Sequence, residues 1–476
     1  MINSCALVFK DHFHIPPEDL QTFLKTALSR GGDFAELFLE YRIFNAILME
    51  DDIIKETSES VGLGLGIRVI SGDKTGYGYT NDISSHAIRK TALTAASIAD
   101  GNRDYTPPPL YPKPPSRNLF ILKKPASAVS LADKIELVKS AYASAQQHDS
   151  KITKVRASLT DLIQYVTIVN SEGTAVTDVR PMVKLVCLAV AEKGSEREAG
   201  FYGGGGRVGY EYFQHDLKPE TIGREAAGEA LHLLDAEPAP AGEMPVVLSA
   251  GHSGVLIHEA VGHLLEADFI RKKTSVFWDK MGKKVASDRV TIYDDPTIPY
   301  FRGSYNVDDE GIEPQKTLLI DKGRLSGLLQ DRLSAKILNM TPTGHGRRQD
   351  YSSIPIPRMS NTYIEHGEYD REEIIRSVKK GFYAHHFQGG QVEDTGKFTF
   401  SVSSGYLIED GRLTTPVKQA TLIGSNIAIL NSIEMVGSDL TYSLQTGICG
   451  KDGQEAPVSD GCPTMKITSM TVGGAR

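Results

Sequence analysis

The stretch Ser253-Gly-Val-Leu-Ile-His258-Glu259-Ala-Val-Gly262-His263-Leu-Leu-Glu266-Ala-Asp268 decides how the second half of this chain reads. It contains no proline, and Ser253 is suited to an N-cap, so a helix is predicted across it. At about 100° per residue, Ile257, Ala260, Val261, Leu264 and Leu265 share one arc of the helical wheel. His258, Glu259, Gly262, His263 and Glu266 share the opposite arc. A solvated helix face normally carries lysine and arginine. This one carries two imidazoles, two carboxylates and a glycine, which suits metal chemistry; the plain alternative is a polar face hydrogen-bonded to a neighbouring layer.

The histidine spacing is informative. The familiar zinc-protease helix places two histidines at i and i+4 on one side. Here they stand at i and i+5, which in a regular helix separates them by roughly 140°. Either a π-bulge brings them together, a distortion that favours functional sites, or they do not share an ion. Gly262 removes a side chain where such a distortion, or a close approach, needs room.

A hydrolytic zinc site uses three protein ligands and leaves one position open. His258 and His263 supply two. The third is Glu266 nearby or, at a distance, Cys449 in Gly447-Ile-Cys449-Gly450-Lys-Asp-Gly453, where the glycines suit a loop that carries a thiolate to another element. Glu259 is then left as the base that takes a proton from water and passes it to the leaving amine. The other pairing, Glu259 with His263, leaves His258 over.

Upstream, the chain alternates helical and strand patterns. Helices are predicted over residues 16–30, 84–99, 130–147 and 219–234, and strands over 34–49 and 154–191 with a turn at Asn170-Ser-Glu-Gly173. The glycine-rich run from Val61 to Tyr79 feeds Ile67-Arg-Val-Ile70 and a Gly72-Asp73 turn rather than a helix N-terminus, so it reads as a β-hairpin and not a phosphate loop. Residues 106–116 hold six prolines and form a stiff connection. Gly203 to Gly206 reads as a flexible loop. The fold class is therefore α/β, in the α+β sense. An N-terminal α/β domain with an antiparallel sheet spans 1–236, Glu237 to Pro245 is a linker, and a strand-rich domain carrying the opening helix spans 246–476. Leu319-Ile-Asp-Lys-Gly-Arg-Leu325 and Leu407-Ile-Glu-Asp-Gly-Arg-Leu413 match at five of seven positions and read as hairpins.

A net charge of −8 without a basic run disfavours nucleic-acid binding. No apolar run approaches the roughly 20 residues of a membrane span, and Met1 to Asp11 lacks the pattern of a secretory signal. Four cysteines (Cys5, Cys187, Cys449 and Cys462) are too sparse for a disulfide scaffold, so a cytoplasmic location with reduced thiols is expected.

The stretch His258-Glu-Ala-Val-Gly-His263-Leu-Leu-Glu-Ala-Asp268 resembles the metal helix of the TldD/PmbA metallopeptidase family, whose pattern is HExxxH. The resemblance continues through Asp308-Asp-Glu-Gly311, Met340-Thr-Pro-Thr-Gly344, Pro357-Arg-Met-Ser-Asn-Thr-Tyr363 and Gly389-Gly-Gln-Val392. It ends with Pro416 to Gly424, Cys449-Gly-Lys-Asp-Gly-Gln454 and Thr471-Val-Gly-Gly474. It is dense in the C-terminal half and weaker before it. Of the family's two subunit types the chain is similar to TldD, since the PmbA (TldE) type lacks the metal motif. The resemblance implies a zinc ion (Zn2+) held by His258, His263 and Cys449, with Glu259 as general base. It implies a zinc metalloprotease that cleaves unfolded or leader peptides bound as an added strand, in a cytoplasmic dimer with a TldE/PmbA-type partner or a second copy. Cys462 departs from the family pattern and stands as a competing ligand or oxidation partner for Cys449. His345, Arg347, Arg348, His385 and His386 are the polar residues available to stabilise an oxyanion, and none is singled out. The alternative function is a non-catalytic peptide-binding or regulatory subunit with a closed, structural metal site.

Overall fold

The structure is a computed structural model that describes residues 12–101, 104–393 and 395–474. Met1 to Asp11, with Cys5, lie outside the described residues. The fold is α+β, as the sequence predicts.

The first half is built on long antiparallel strands. They are β1 (Phe34–Glu50), β2 (Ile53–Ser71), β3 (Lys74–Thr80), β4 (Ile152–Asn170), β5 (Thr174–Lys193) and β6 (Glu196–Gly206). They lie in the order β3-β2-β1-β4-β5, with β6 along one end of β5 and Tyr111–Lys113 parallel to the other. Helix α1 (Pro17–Ala27) and helix α2 (Ser85–Ala96) cover one end of the sheet, burying Phe23, Leu24, Ile88, Ala92 and Ala95 against Leu37, Leu39, Leu65 and Ile67. Helix α3 (Leu131–Gln146) and helix α4 (Pro219–Leu234) cover the other with Val138, Ala141, Ala226 and Ala230 against Leu185, Cys187 and Ala189. Ser84 and Ser130 cap α2 and α3 by accepting the backbone N–H of Ala87 and Asp133.

The Gly203–Gly206 run corrects one expectation. It is no loop: it is the end of β6, in register with Val183 to Val186 of β5. A side chain at Gly205 would collide with the Val183 carbonyl, so the glycines mark a crowded edge.

The second half holds a seven-stranded sheet. Its main strands are β7 (Gly242–Leu248), β8 (Lys380–Val392), β9 (Lys397–Glu409), β10 (Arg412–Ser425) and, at the C-terminus, Met465–Gly473. The chain from 237 to 245 is drawn into this sheet: Glu237–Pro238 pairs parallel with β10, and Gly242 opens β7. The two matched seven-residue hairpins sit in different sheets. Each turns on two residues with positive φ, Lys322-Gly323 and Asp410-Gly411, so shared turn chemistry accounts for the likeness.

The two halves meet through buried charge. Arg68 pairs with Glu36 at 2.9 Å and Glu310 at 2.5 Å; Arg180 pairs with Asp309 at 2.5 Å; Arg348 pairs with Glu36 at 2.6 Å. The Asp308-Asp-Glu-Gly311 motif is thus a clamp on the N-terminal sheet. Removing one partner of such a buried pair typically costs about 3–5 kcal/mol, because the other charge is left stranded.

Candidate metal centre

The stretch 253–268 is not one regular helix. A short α-turn (Gly254–Ile257) passes into a π-turn (His258–Gly262), then a 3-10 turn (His263–Leu265), and ends at Glu266 in extended conformation. The widened segment falls between the two histidines, where their spacing requires it. Ser253 lies in the αR region and makes no capping bond, so it is not the expected N-cap; its Oγ lies 3.3 Å from Ser249 Oγ. The predicted apolar arc holds: Ile257, Val261 and Leu265 are fully buried, and Ala260 and Leu264 nearly so, beneath the seven-stranded sheet. Each large side chain contributes about 2 kcal/mol by burial, which offsets the poorer hydrogen bonding of the π-turn.

The π-turn brings the imidazoles together, with ring centroids 5.2 Å apart and planes nearly perpendicular. Cys449 reaches them from the second half of the chain. It sits not in a loop but on β11 (Ile448–Lys451), one arm of a hairpin with β12 (Gln454–Pro457). Its Sγ lies 3.3 Å from His263 Nε2. One donor atom each from His258, His263 and Cys449 falls within 4.8 Å of the others, and this is the one such group among the described residues. Burial pushes the Cys449 thiol up, but the adjacent His258 and His263 outweigh it and bring it down to about 5. Burial also opposes charge on His263, yet Glu266 and Cys449 raise it well above its ordinary value. A polarised thiolate beside two imidazoles is a donor set that fits zinc. The buried Nδ1 of His258 has no protein partner, which fits the same reading.

Glu266 does not join the three donors. It accepts from His263 Nδ1 at 3.1 Å, pairs with Lys451 at 3.0 Å and receives the Met359 N–H at 3.3 Å. Burial pushes its carboxyl up, but Lys451 and His263 hold it down at about 2. It therefore fixes the His263 ring from behind. Cys462 also lies outside the group, with its thiol directed at the carbonyls of Ser249 and Gly251. Burial raises that thiol well above its ordinary range. Glu259 is partly exposed, its carboxylate 3.9 Å from His263 Nε2. Gly262 leaves space for Met359, whose sulfur would overlap any added Cβ.

Residues that pattern alone did not single out support the centre. Arg358 donates to the Cys449 carbonyl at 2.6 Å, and Lys451 binds Asp268 at 2.7 Å. Asp460 is buried against Gly254 with one carboxylate oxygen unpartnered, and burial pushes it up to about 6. The recurring family segments around Arg358 and Lys451 were the signal available for them. The oxyanion candidates are engaged elsewhere. His345 binds Asp294 at 2.9 Å, Arg348 binds Glu36, Arg347 donates to the Met359 and Pro457 carbonyls, and His386 binds Glu229 at 3.0 Å. His385 stacks on His386.

Comparison with known proteins agrees with this architecture. Domain profiles for the PmbA/TldA metallopeptidases match residues 35–99 (domain 1), 124–234 (central domain) and 241–474 (C-terminal domain). A metalloprotease TldD homolog of Haemophilus influenzae is 40% identical across the full length of both chains. A metalloprotease of Methanothermobacter thermautotrophicus is 36% identical over 90% of this chain and 93% of its own. The fold is shared with TldE of Thermococcus kodakarensis (TM-score 0.73, 21% identity, 96% of this chain and 99% of that one). It is shared also with a Bacteroides thetaiotaomicron protein described as a candidate modulator of DNA gyrase (TM-score 0.77, 22% identity, 96% and 98%). The family profiles and the named relatives support a metalloprotease-like function at the level of the family. The chain belongs to the PmbA/TldD metallopeptidase family. No helix among the described residues is long and apolar enough to cross a membrane.

Proposed function

We propose that this protein hydrolyses peptide bonds with a zinc ion held by His258, His263 and Cys449 and with Glu259 as general base. The observation that carries the reading is the convergence of His258, His263 and Cys449 beside the partly exposed carboxylate of Glu259. When bound, zinc supplies Lewis acidity that polarises a scissile carbonyl and acidifies water. Glu259 takes a proton from the attacking water and delivers it to the departing amine nitrogen. Glu266 holds His263 in one orientation through its Nδ1, and Lys451 keeps Glu266 charged. A thiolate donates more charge than a carboxylate, so Glu259 carries a larger share of the activation than in a two-histidine, one-glutamate site.

The alternative, a structural metal closed by a fourth protein ligand, has less support, because Glu266 and Cys462 are both bound to other groups. The substrate class we infer is an unfolded or leader peptide, and the working form a cytoplasmic dimer with a TldE-type subunit or a second copy. The fold likeness to TldE is consistent with such a pairing. The deciding experiment is Glu259→Gln. Zinc content should stay at wild-type level while kcat on an unstructured peptide falls at least about a thousandfold, as for loss of an essential base. Cleavage at wild-type rate by the zinc-loaded variant removes Glu259 from the mechanism.

A further inference from the structure

Between the N-terminal sheet and the hairpin that carries Cys449 lies a cleft. It consists of two adjoining cavities, of about 360 and about 90 Å³, which share Arg42, Leu162, Met182, Gln349 and Pro457. Strands β4 and β5 form one wall, and Ile448, Ala456 and Pro457 of the β11–β12 hairpin form the other.

Seven cations line this cleft; Arg42, Arg180 and Arg348 are ion-paired, which leaves four: Lys184 and Arg302 in the larger cavity, Arg207 and Arg347 in the smaller. Among the described residues none of the four makes an ion pair. Arg302 Nε donates to the Gly447 carbonyl at 2.7 Å, two residues before Cys449. Arg347 spends its donors on backbone carbonyls. Arg207 stands over the Phe120 ring, its buried Nε without a partner. The three guanidinium groups belong to residues only 3–5% exposed. Burial pulls Arg302 down to about 10 and, with neighbouring Arg180 and Arg347, pulls Arg207 down further; burial and Arg302 together lower Lys184.

The nearby buried carboxylates are committed; Asp178, whose charge favours Arg207, takes Arg180 at 3.1 Å and accepts from Asn306 at 2.8 Å. Asp161 takes Lys134 at 2.7 Å and Tyr210 at 2.5 Å; Asp309 takes Arg180; Asp350 takes Arg42 at 3.5 Å. Glu40 accepts from Gln164 and the Tyr351 N–H, and Asp308 from three backbone N–H groups. Glu455 stands exposed on the rim. Buried cations without counter-ions carry an unrepaid desolvation cost that an entering anion relieves. The same rim exposes Phe44 and Ile448, 37% and 51% accessible, which suits an apolar side chain next to that anion.

We propose that this cleft is a carboxylate-binding subsite for the peptide substrate, in which Lys184 and Arg302 receive either the C-terminal carboxylate or an acidic side chain. The proposal rests on the peptidase reading for its ligand class but is tested by binding. Three fluorescein-labelled decapeptides of alanine, serine and threonine serve as probes: the free acid, its C-terminal amide, and the amide with one glutamate near its end. Their anisotropy is titrated with the zinc-loaded full chain carrying Glu259→Gln, with and without Lys184→Gln or Arg302→Gln.

The free acid or the glutamate amide should bind at least about tenfold tighter than the plain amide, the better probe identifying the source of the carboxylate. Each substitution should reduce that ratio about fivefold or more, with zinc content unchanged. Equal binding of all three probes, no binding at all, or a preference that survives both substitutions overturns the proposal. Discrimination by a protein that cleaves none of the probes before Glu259→Gln is introduced would leave the subsite standing and sink the peptidase reading. Cleavage without discrimination would do the reverse.

Discussion

At the residue scale, Gly262 shows how one missing side chain organises a site. Met359 fills the space a Cβ would take, and the Met359 N–H is bound to Glu266, which in turn holds His263. Gly262→Ala should therefore force Met359 and the π-turn apart. The expected cost is about 2–4 kcal/mol in urea unfolding, with at least tenfold weaker zinc binding, because overpacking and a displaced supporting contact act together. Alanine accepted with unchanged stability and metal affinity would show that the contact is slack. The sequence marked Gly262 as a place needing room, but nothing local to it indicated that a methionine 97 residues downstream takes that room.

At the scale of the element, the decisive features are the π-turn and the hairpin facing it. The i, i+5 histidine spacing requires a widened helix if both rings are to meet, and the structure has one there. Cys449 was legible as a candidate, but its setting was misread. The glycines around it are hairpin residues, with Asp452 and Gly453 at positive φ in the turn, and a paired strand holds the thiol more rigidly than a loop would. The Gly203–Gly206 run was misread for the same reason: glycine favours loops locally, whereas here it relieves crowding between paired strands. Gly205→Val should thus destabilise the protein by about 3 kcal/mol or more, seen as a lowered urea midpoint, since its side chain would meet the Val183 carbonyl. A neutral result would restore the reading of an unconstrained segment.

At the scale of the whole molecule, the two halves are joined by charge and by a histidine cluster. His385 and His386 on β8, His252 before the metal turn and Glu229 on α4 pack together, with His252 and His386 rings 4.6 Å apart. Burial pulls His252 down to about 3 and His385 to about 4. Both lie below the value of about 6.5 expected in the unfolded chain, so unfolding takes up protons as pH falls from about 6.5 to about 3. The stabilisation is complete above that window and is lost through it. Urea unfolding should show on the order of 5 kcal/mol lost between pH 7 and pH 4.5, and His252→Gln with His385→Gln should flatten the profile. An unchanged slope in the double variant would remove these groups as its cause.

The sequence by itself determined the elements with strong local periodicity. These are the long strands, the capped helices and the metal stretch, with its buried arc and its demand for a widened turn. Each is set by side chains within a few positions of one another. Only the tertiary structure decided which distant groups meet there. The Cys449 thiol, 186 positions beyond His263, shares their pocket only because a hairpin is docked against the π-turn. Glu266 lies behind His263, outside the three clustered donors, because Lys451 and the Met359 N–H arrive from distant parts of the chain. Four cations of the cleft, Lys184, Arg207, Arg302 and Arg347, lack counter-ions because of what folding places beside them. A charge is local, but its compensation is a property of the packed chain.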